Sequence, residues 1–499
     1  MSFSLLSSVL NFLAALFVLA IGLLALWVGV LYVVDKTQTR HAVRRNFPVI
    51  GRFRWVFEHL GEFLRPYLFA GDREELPFNR AERAWVYRAA KNLDSTVPFG
   101  STRDLRPVGT PMFVNCSYPT LDRDAAMSPP VVIGPNCRTP YLARSIFNIS
   151  AMSYGAISKP AVRALSRGAA AAGVWLNTGE GGLSPWHLEG GCDIVFQIGT
   201  AKYGVRDSDG RLSFDKFAEL ANIAQVRMIE LKLAQGAKPG KGGILPGIKV
   251  TEEIAGIRHI PVGKDSISPN RHPEVANDDQ LLDLLGRLRE ASGKPVGFKA
   301  VVSDPGEFRS LCAAIRRRGS DAAPDFITVD SADGGSGAAP MSLIDNVGLP
   351  IGESLPLVVD TLMEHGLRER IKVIASGKLI TPTEVAWALC MGADFVNCAR
   401  GFMFALGCIQ AMQCNRNTCP TGVTTHNPNL QRGLVVTDKA ERVAHYARNM
   451  NHEVAVIAHS CGVAEPRLLR RNHCRVVTAN GKSVTLDQLF PDRHNPLLQ

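Results

Sequence analysis

Apolar and polar positions divide this chain into three textures. Residues 9–34, "VLNFLAALFVLAIGLLALWVGVLYVV", are almost wholly apolar, and no charged side chain precedes Asp35. A helix needs about 20 such residues to cross a bilayer's hydrocarbon. A signal peptide has a shorter apolar core behind basic residues, so the pattern predicts a retained transmembrane anchor over 1–35. Residues 36–145 are mixed. They hold "RFRWVFEHLGEFLRPYLF", rich in aromatics and arginines, and "NRAERAWVYRAAKN", with helical periodicity. They are expected to form a packing subdomain that seats the anchor against the rest.

From residue 146 short apolar or β-branched runs alternate with alanine- and leucine-rich helical stretches. The runs are "FNISAMS", "VWLNTG", "IVFQIGT", "RMIELKL", "PVGFKAV", "FITVDSA", "KVIASG" and "DFVNCAR". Eight strands separated mainly by helices predict an α/β fold, a (β/α)8 TIM barrel over 146–430, followed by a helical extension over 431–499. A doubly wound sheet is the rival, but its GxGxxG fingerprint after a first strand is missing. One connection is abnormally long, running from "AQGAKPGKGGILPG" to "SPNRHPEV". A loop of that size is usually functional, and on a barrel it would lie over the mouth.

Composition narrows the classes. The net charge of +10 over 499 residues is modest, and no basic helix, finger or aromatic–basic module marks a nucleic-acid binder. Eleven cysteines are too few for a disulfide scaffold. Basic residues Lys36, Arg40, Arg44 and Arg45 follow the apolar segment. By the positive-inside rule they place the body in the cytoplasm, on a single-pass protein of the inner or cell membrane.

Candidate chemistry gathers at strand ends. After strands six, seven and eight come Asp333, Gly334 and Gly335, then Ser376 and Gly377, then Ala399 and Arg400. Barrels bind phosphate with such loops, so these predict a phosphate-bearing cofactor. Strand one offers Ala151, Met152 and Ser153, and strand two Asn177 and Glu180; Gln197, Lys232 and Lys299 lie on strands three, four and five. A barrel lysine near a flavin stabilises its reduced anion. Cys408, Cys414 and Cys419 fall within twelve residues as C-x5-C-x4-C, with Pro420 after the last. Zinc would usually need four ligands, with His426 the available fourth; an iron–sulfur cluster fits three thiolates in a tight loop better.

The segments "ISAMSYGAIS", "NTGEGG", "KLAQGAKPGKGG…LPG", "SADGGSGAAP" and "ALGCIQAMQCNRNTCPTGV" resemble, in collinear order over about residues 140–430, the FMN-binding synthase domain of glutamate synthases. The resemblance implies FMN, a 3Fe–4S cluster on Cys408, Cys414 and Cys419, and reductive amination of 2-oxoglutarate through 2-iminoglutarate. It implies that Lys238 and Arg258 hold the oxoacid carboxylates with Gln235 nearby, and that Glu180 meets ammonia. Glu180, Lys232 and Lys238 are thus the expected catalytic groups. Two positions depart from the family pattern: Ile244 stands for its glutamine and Lys241 for its glutamate. No glutaminase domain or dinucleotide fingerprint is recognisable. A separate glutaminase or free ammonium, and an electron donor such as ferredoxin or a reductase subunit, are therefore the expected partners. The competing readings are a transferase similar to N-methylglutamate synthase and a flavin and iron–sulfur electron-transfer protein without substrate chemistry.

Overall fold

A computed structural model describes residues 3–491, which divide after Arg80 into two compact units. In the first, α1 (Phe3–Thr37) is followed by α2 (Ala42–Asn46) and α3 (Phe53–Leu68). Residues Leu5–Thr37 of α1 are long and apolar enough to cross a membrane. The carboxylate of Asp35, at the end of α1, is buried. It accepts hydrogen bonds from Arg52 Nε at 2.8 Å, Arg52 Nη2 at 2.7 Å and Val49 N–H at 3.0 Å. This bidentate pair ties the foot of the apolar helix to the start of α3.

The second unit is built on a closed barrel of eight parallel strands in sequential order. They are β1 (Phe147–Ile149), β2 (Leu176–Asn177), β3 (Ile194–Ile198), β4 (Val226–Lys232), β5 (Val296–Val301), β6 (Phe326–Asp330), β7 (Lys372–Ser376) and β8 (Phe395–Cys398). Pairing of β8 with β1 closes the ring. Seven lie inside the runs expected from sequence, and β4 begins one residue before its run. Most strand residues are buried on both faces, as a parallel barrel wrapped by helices requires.

The helices begin and end where local chemistry directs. Lys159–Ala172 starts at Ser158, whose hydroxyl accepts from Ala161 N–H, and stops at Gly173 with φ +68°. Asn277 caps Asp278–Ser292, and Thr381 with Glu384 forms a capping box on Pro382–Cys390. The helix Val436–Ser460 packs tightly along Lys159–Ala172. A Cβ at Gly168 would fall 2.6 Å from Ala440 O, so only glycine permits this approach.

Inward side chains fill the barrel in layers. Val195, Met228, Phe326, Ile374 and Phe395 form the lowest, packed with Ile133 and Tyr141 of a hairpin that closes the N-terminal end. Above them lies a polar layer of Gln197, Glu230 and Thr328. Lys232, Lys299, Asp330 and Ser376 are the inward residues nearest the mouth.

Two domain expectations differ from the structure. Contacts divide 36–145 after Arg80, so residues 81–145 cluster with the barrel. The segment 431–499 is not helical throughout: Cys474–Val477 and Ser483–Thr485 build an antiparallel sheet with Pro111–Phe113. The long connection after β4 is also structured, holding the paired strands Ile244–Leu245 and Ser266–Ile267 and the helix Glu252–Arg258.

Candidate active site

At the C-terminal mouth the end of β4 meets the turn after β2. Lys232 Nζ lies 2.8 Å from Glu180 Oε1 and donates to Gln235 Oε1 at 2.6 Å. Gln235 in turn donates to Gly335 O at 2.9 Å, tying this group to the loop after β6. Burial raises the Glu180 carboxyl, but attraction to Lys232 and their hydrogen bond outweigh it, and the pKa is lowered. Glu180 is therefore ionised at neutral pH. Glu180, Lys232 and Gln235 line a recess of about 230 Å³, together with Thr200, Lys241 and Asn270.

Lys238 is buried and donates to Ala338 O at 2.8 Å. Desolvation brings its pKa down to about 8. The guanidinium of Arg258 does not line the recess. From the short helix it donates to Tyr154 O at 3.0 Å and Ser266 Oγ at 3.3 Å, 5.1 Å from the centre of the Tyr203 ring. Its Nε is buried with no hydrogen-bond partner. A Cβ at Gly181 would lie 2.9 Å from Arg258 Nη2, which places the guanidinium in the wall beside the turn that carries Glu180.

The remaining expected residues form the floor and far rim. Glu230 accepts from Asn177 at 2.8 Å, Gln197 at 2.7 Å and Thr328 at 2.5 Å. This buried carboxylate escaped the sequence reading, although it lies two residues before Lys232 and so on the same face of β4. Lys299 pairs with Asp330 at 3.2 Å, and Asp330 also accepts from Gly236 N–H at 3.0 Å. Burial lowers the Lys299 ammonium, but the Asp330 and Glu230 carboxylates overcome it, so the lysine stays charged. The backbone at Met152 and Ser153 runs against Gly179, where a Cβ would lie 2.6 Å from Ser153 N.

On the other side, Arg400 donates to Asp333 O, and the Asp333 carboxylate accepts from Ile351 N–H at 2.9 Å. Lys378 lies 3.6 Å from that carboxylate. Gly377 has φ +145°, and a Cβ there would come within 2.1 Å of Ser331 Oγ. Ser376, Gly377, Gly334, Gly335, Ala399 and Arg400 thus edge one backbone-lined rim, with Asp333 serving as its internal tie.

The third region is the cysteine loop. Cys408, Cys414 and Cys419 are free thiols lining one small, partly open pocket, with Met403, Val423 and Thr424. Among the described residues no group of three His, Cys, Asp or Glu side chains converges to hold a metal ion. The thiols stand around a space instead. Burial pushes Cys408 up to about 12. At Cys419 hydrogen bonds from Thr421 and Thr424 outweigh burial, and its pKa is lowered. His426, the fourth zinc ligand considered from sequence, spends Nε2 on Gly155 O at 2.8 Å. Lys249, absent from the sequence reading, donates to Ala156 O at 2.6 Å and Cys414 O at 3.2 Å, bridging the cysteine loop to the loop after β1.

Comparison with known proteins agrees with this arrangement. Residues 112–464 match the family described as the conserved region in glutamate synthase. The glutamate synthase large subunit-like protein YerD of Bacillus subtilis is 39% identical over 95% of this chain and 98% of its own length. The archaeal-type glutamate synthase (NADPH) of Thermotoga maritima is 34% identical over 65% of this chain, which spans 60% of that protein. Among solved structures, mandelate oxidase with benzoyl-formic acid aligns over 80% of this chain at 16% identity, covering 99% of that chain with a TM-score of 0.46. By the extent of the family match and the near end-to-end likeness to YerD, the chain belongs to the glutamate synthase family.

Proposed function

We propose that this chain reductively aminates 2-oxoglutarate, or a close 2-oxoacid, to glutamate through 2-iminoglutarate. The observation that carries the reading is the recess at the barrel mouth, where an ionised Glu180 faces Lys232, Gln235 and Lys241. The cations suit an anionic oxoacid, and Lys238 and Arg258 add positive charge behind the walls. Ionised Glu180 takes a proton from ammonium, freeing ammonia to attack the keto carbon. Addition and loss of water give the imine, and two electrons with protons complete the amine.

FMN fits the site. Gly377 leaves a rim no side chain could share, Arg400 stands beside it, and Lys299 is held cationic within the barrel. Ala151, Met152, Ser153, Asn177, Gln197, Lys232, Lys299 and the rim from Asp333 to Arg400 would hold it. Bound there, FMN supplies the two-electron reductant. Three thiols around one pocket fit a 3Fe–4S cluster better than a single ion, and such a cluster passes electrons one at a time. Electrons come from an external donor such as ferredoxin or a reductase subunit. Nitrogen comes from ammonium or a separate glutaminase. The apolar α1 is read as a single membrane span with the barrel on the cytoplasmic side.

The test is anaerobic reoxidation of the reduced, cofactor-loaded protein against a panel of 2-oxoacids with ammonium. Reoxidation by 2-oxoglutarate with ammonium, giving glutamate, is expected. Inertness to all oxoacids, with turnover of glutamate and methylamine instead, would move the chain to the N-methylglutamate-type transferases. Inertness to both would leave electron transfer.

A further inference from the structure

Among the described residues, α3 carries an exposed apolar stripe. Phe53, Val56, Phe57, Leu60, Leu64 and Leu68 recur at helical spacing, and all are exposed. They form one stripe along a 16-residue helix, about 24 Å long. The helix is held from another side: Trp55 lies under the Arg44 guanidinium at 4.4 Å and edge-on to His41 at 5.4 Å. The Asp35–Arg52 clamp fixes the start of α3 to the foot of α1. So the stripe is presented, and it lies within twenty residues of the apolar helix. From Asp35 to Leu68 seven basic residues outnumber three acidic ones, Asp35, Glu58 and Glu62, and the excess lies in Lys36, Arg40, Arg44 and Arg45 ahead of α3.

We propose that α3 is an interfacial helix whose phenylalanine–leucine stripe beds into the headgroup–acyl boundary of an anionic bilayer. The inference rests on the reading of α1 as a membrane span, and the combination of chemistries is what selects lipid. A continuous aromatic and aliphatic stripe gains by leaving water, and the surrounding arginines are attracted to anionic headgroups. A helix fastened to the end of a span lies at the bilayer surface without further cost of recruitment. The sequence expectation for residues 36–145 is a packing subdomain that seats the anchor against the rest; the proposal assigns α3 to the membrane surface. There α3 sets the height of the first unit at the membrane.

Photocrosslinking in the full-length protein tests this. A p-benzoylphenylalanine replaces Phe57 on the stripe, Glu58 beside it, or Leu19 in α1, each in vesicles of phosphatidylethanolamine and phosphatidylglycerol. Retention of the absorption spectrum shows that each variant is folded. Lipid adducts at position 57 with at least a fivefold lower yield at position 58 are expected. Adducts from position 57 to protein, or a lipid yield no higher than at position 58, overturn the proposal. Position 19 reports separately on the span. Lipid adducts at 19 but not 57 reject the interfacial helix and leave the anchor intact, whereas none at 19 rejects the anchor whatever position 57 shows.

Discussion

Lys238 is buried where its ammonium has little water, and its pKa falls to about 8. Desolvation is the largest cause, and the nearby Glu180 carboxylate offsets it in part. The folded state disfavours the charged form, so the cost to stability is complete below about pH 8. That cost is relieved as pH rises from there toward the unfolded value near about 10.4. Attraction to an anionic oxoacid runs the opposite way, since the charge that supplies it is lost over the same range. Oxoacid affinity, titrated by the flavin absorbance, should therefore weaken as pH rises through about 8. Lys238→Met should bind more weakly at pH 7, by no more than about tenfold because its charge acts from behind the wall and no direct contact is lost, and show a flatter profile. An unchanged slope in that variant would remove Lys238 from the substrate site. Glu230 gives a second residue-scale expectation. Its carboxylate accepts from three buried donors, so Glu230→Gln replaces charge-assisted hydrogen bonds with neutral ones and leaves an amide N–H₂ facing donors of which only the Thr328 hydroxyl can also accept. A loss of about 1–3 kcal/mol is expected in denaturant unfolding. An equal midpoint and slope for both proteins would show that the network contributes nothing. The two residues also mark what was legible. Lys238 lies in a distinctive motif, whereas Glu230 carries no motif. Only the strand register reveals that Asn177, Gln197 and Thr328 converge on it.

At the scale of elements, strands were easier to read than the connections. A strand buried on both faces is rich in apolar residues, and most of the eight runs have that property, with polar residues such as Asn148, Gln197, Glu230 and Lys232 set between them. The connection after β4 lacks periodicity because its parts are two- and seven-residue elements held by contacts with other loops, such as Gly236 N–H to Asp330 and Gln235 to Gly335. Arg258 could be located in that connection but not oriented. Its bonds to Tyr154 O and Ser266 Oγ depend on a helix turn that sequence spacing does not specify. The cysteine loop was located by spacing alone, yet its shape rests on Gln410, Met412 and Asn417, which all adopt positive φ. Such backbone is unusual outside glycine and persists where surrounding contacts over-determine it. Changing Cys414 to Ser should remove iron from the anaerobically purified protein while far-UV circular dichroism of the barrel stays the same. Full iron content in that variant, or zinc in its place in the parent protein, would refute the cluster.

On the scale of the whole molecule, two kinds of physics divide the chain. The barrel unit is closed by parallel pairing and filled in layers. The first unit has an apolar helix whose side chains are exposed from Leu5 through Val30, and an exposed stripe on α3. On the proposed reading of α1 as a membrane span, lipid replaces water over that surface. On the same reading orientation follows from charge: Lys36, Arg40, Arg44 and Arg45 come directly after the apolar stretch. Cationic flanks are retained on the cytoplasmic side, so the proposed topology puts the barrel there. A green fluorescent reporter joined after Gln499 should therefore be bright, and an alkaline phosphatase joined at the same point inactive. The parent protein should stay with membranes through an alkaline carbonate wash. Replacing all four basic residues with glutamine should weaken the bias and raise phosphatase activity, because those four carry the charge that sets the direction. Active phosphatase on the unaltered chain would place the barrel outside the cytoplasm and reverse the topology. Release of the unaltered chain by carbonate would deny the span itself, and with it the reason for so apolar a helix.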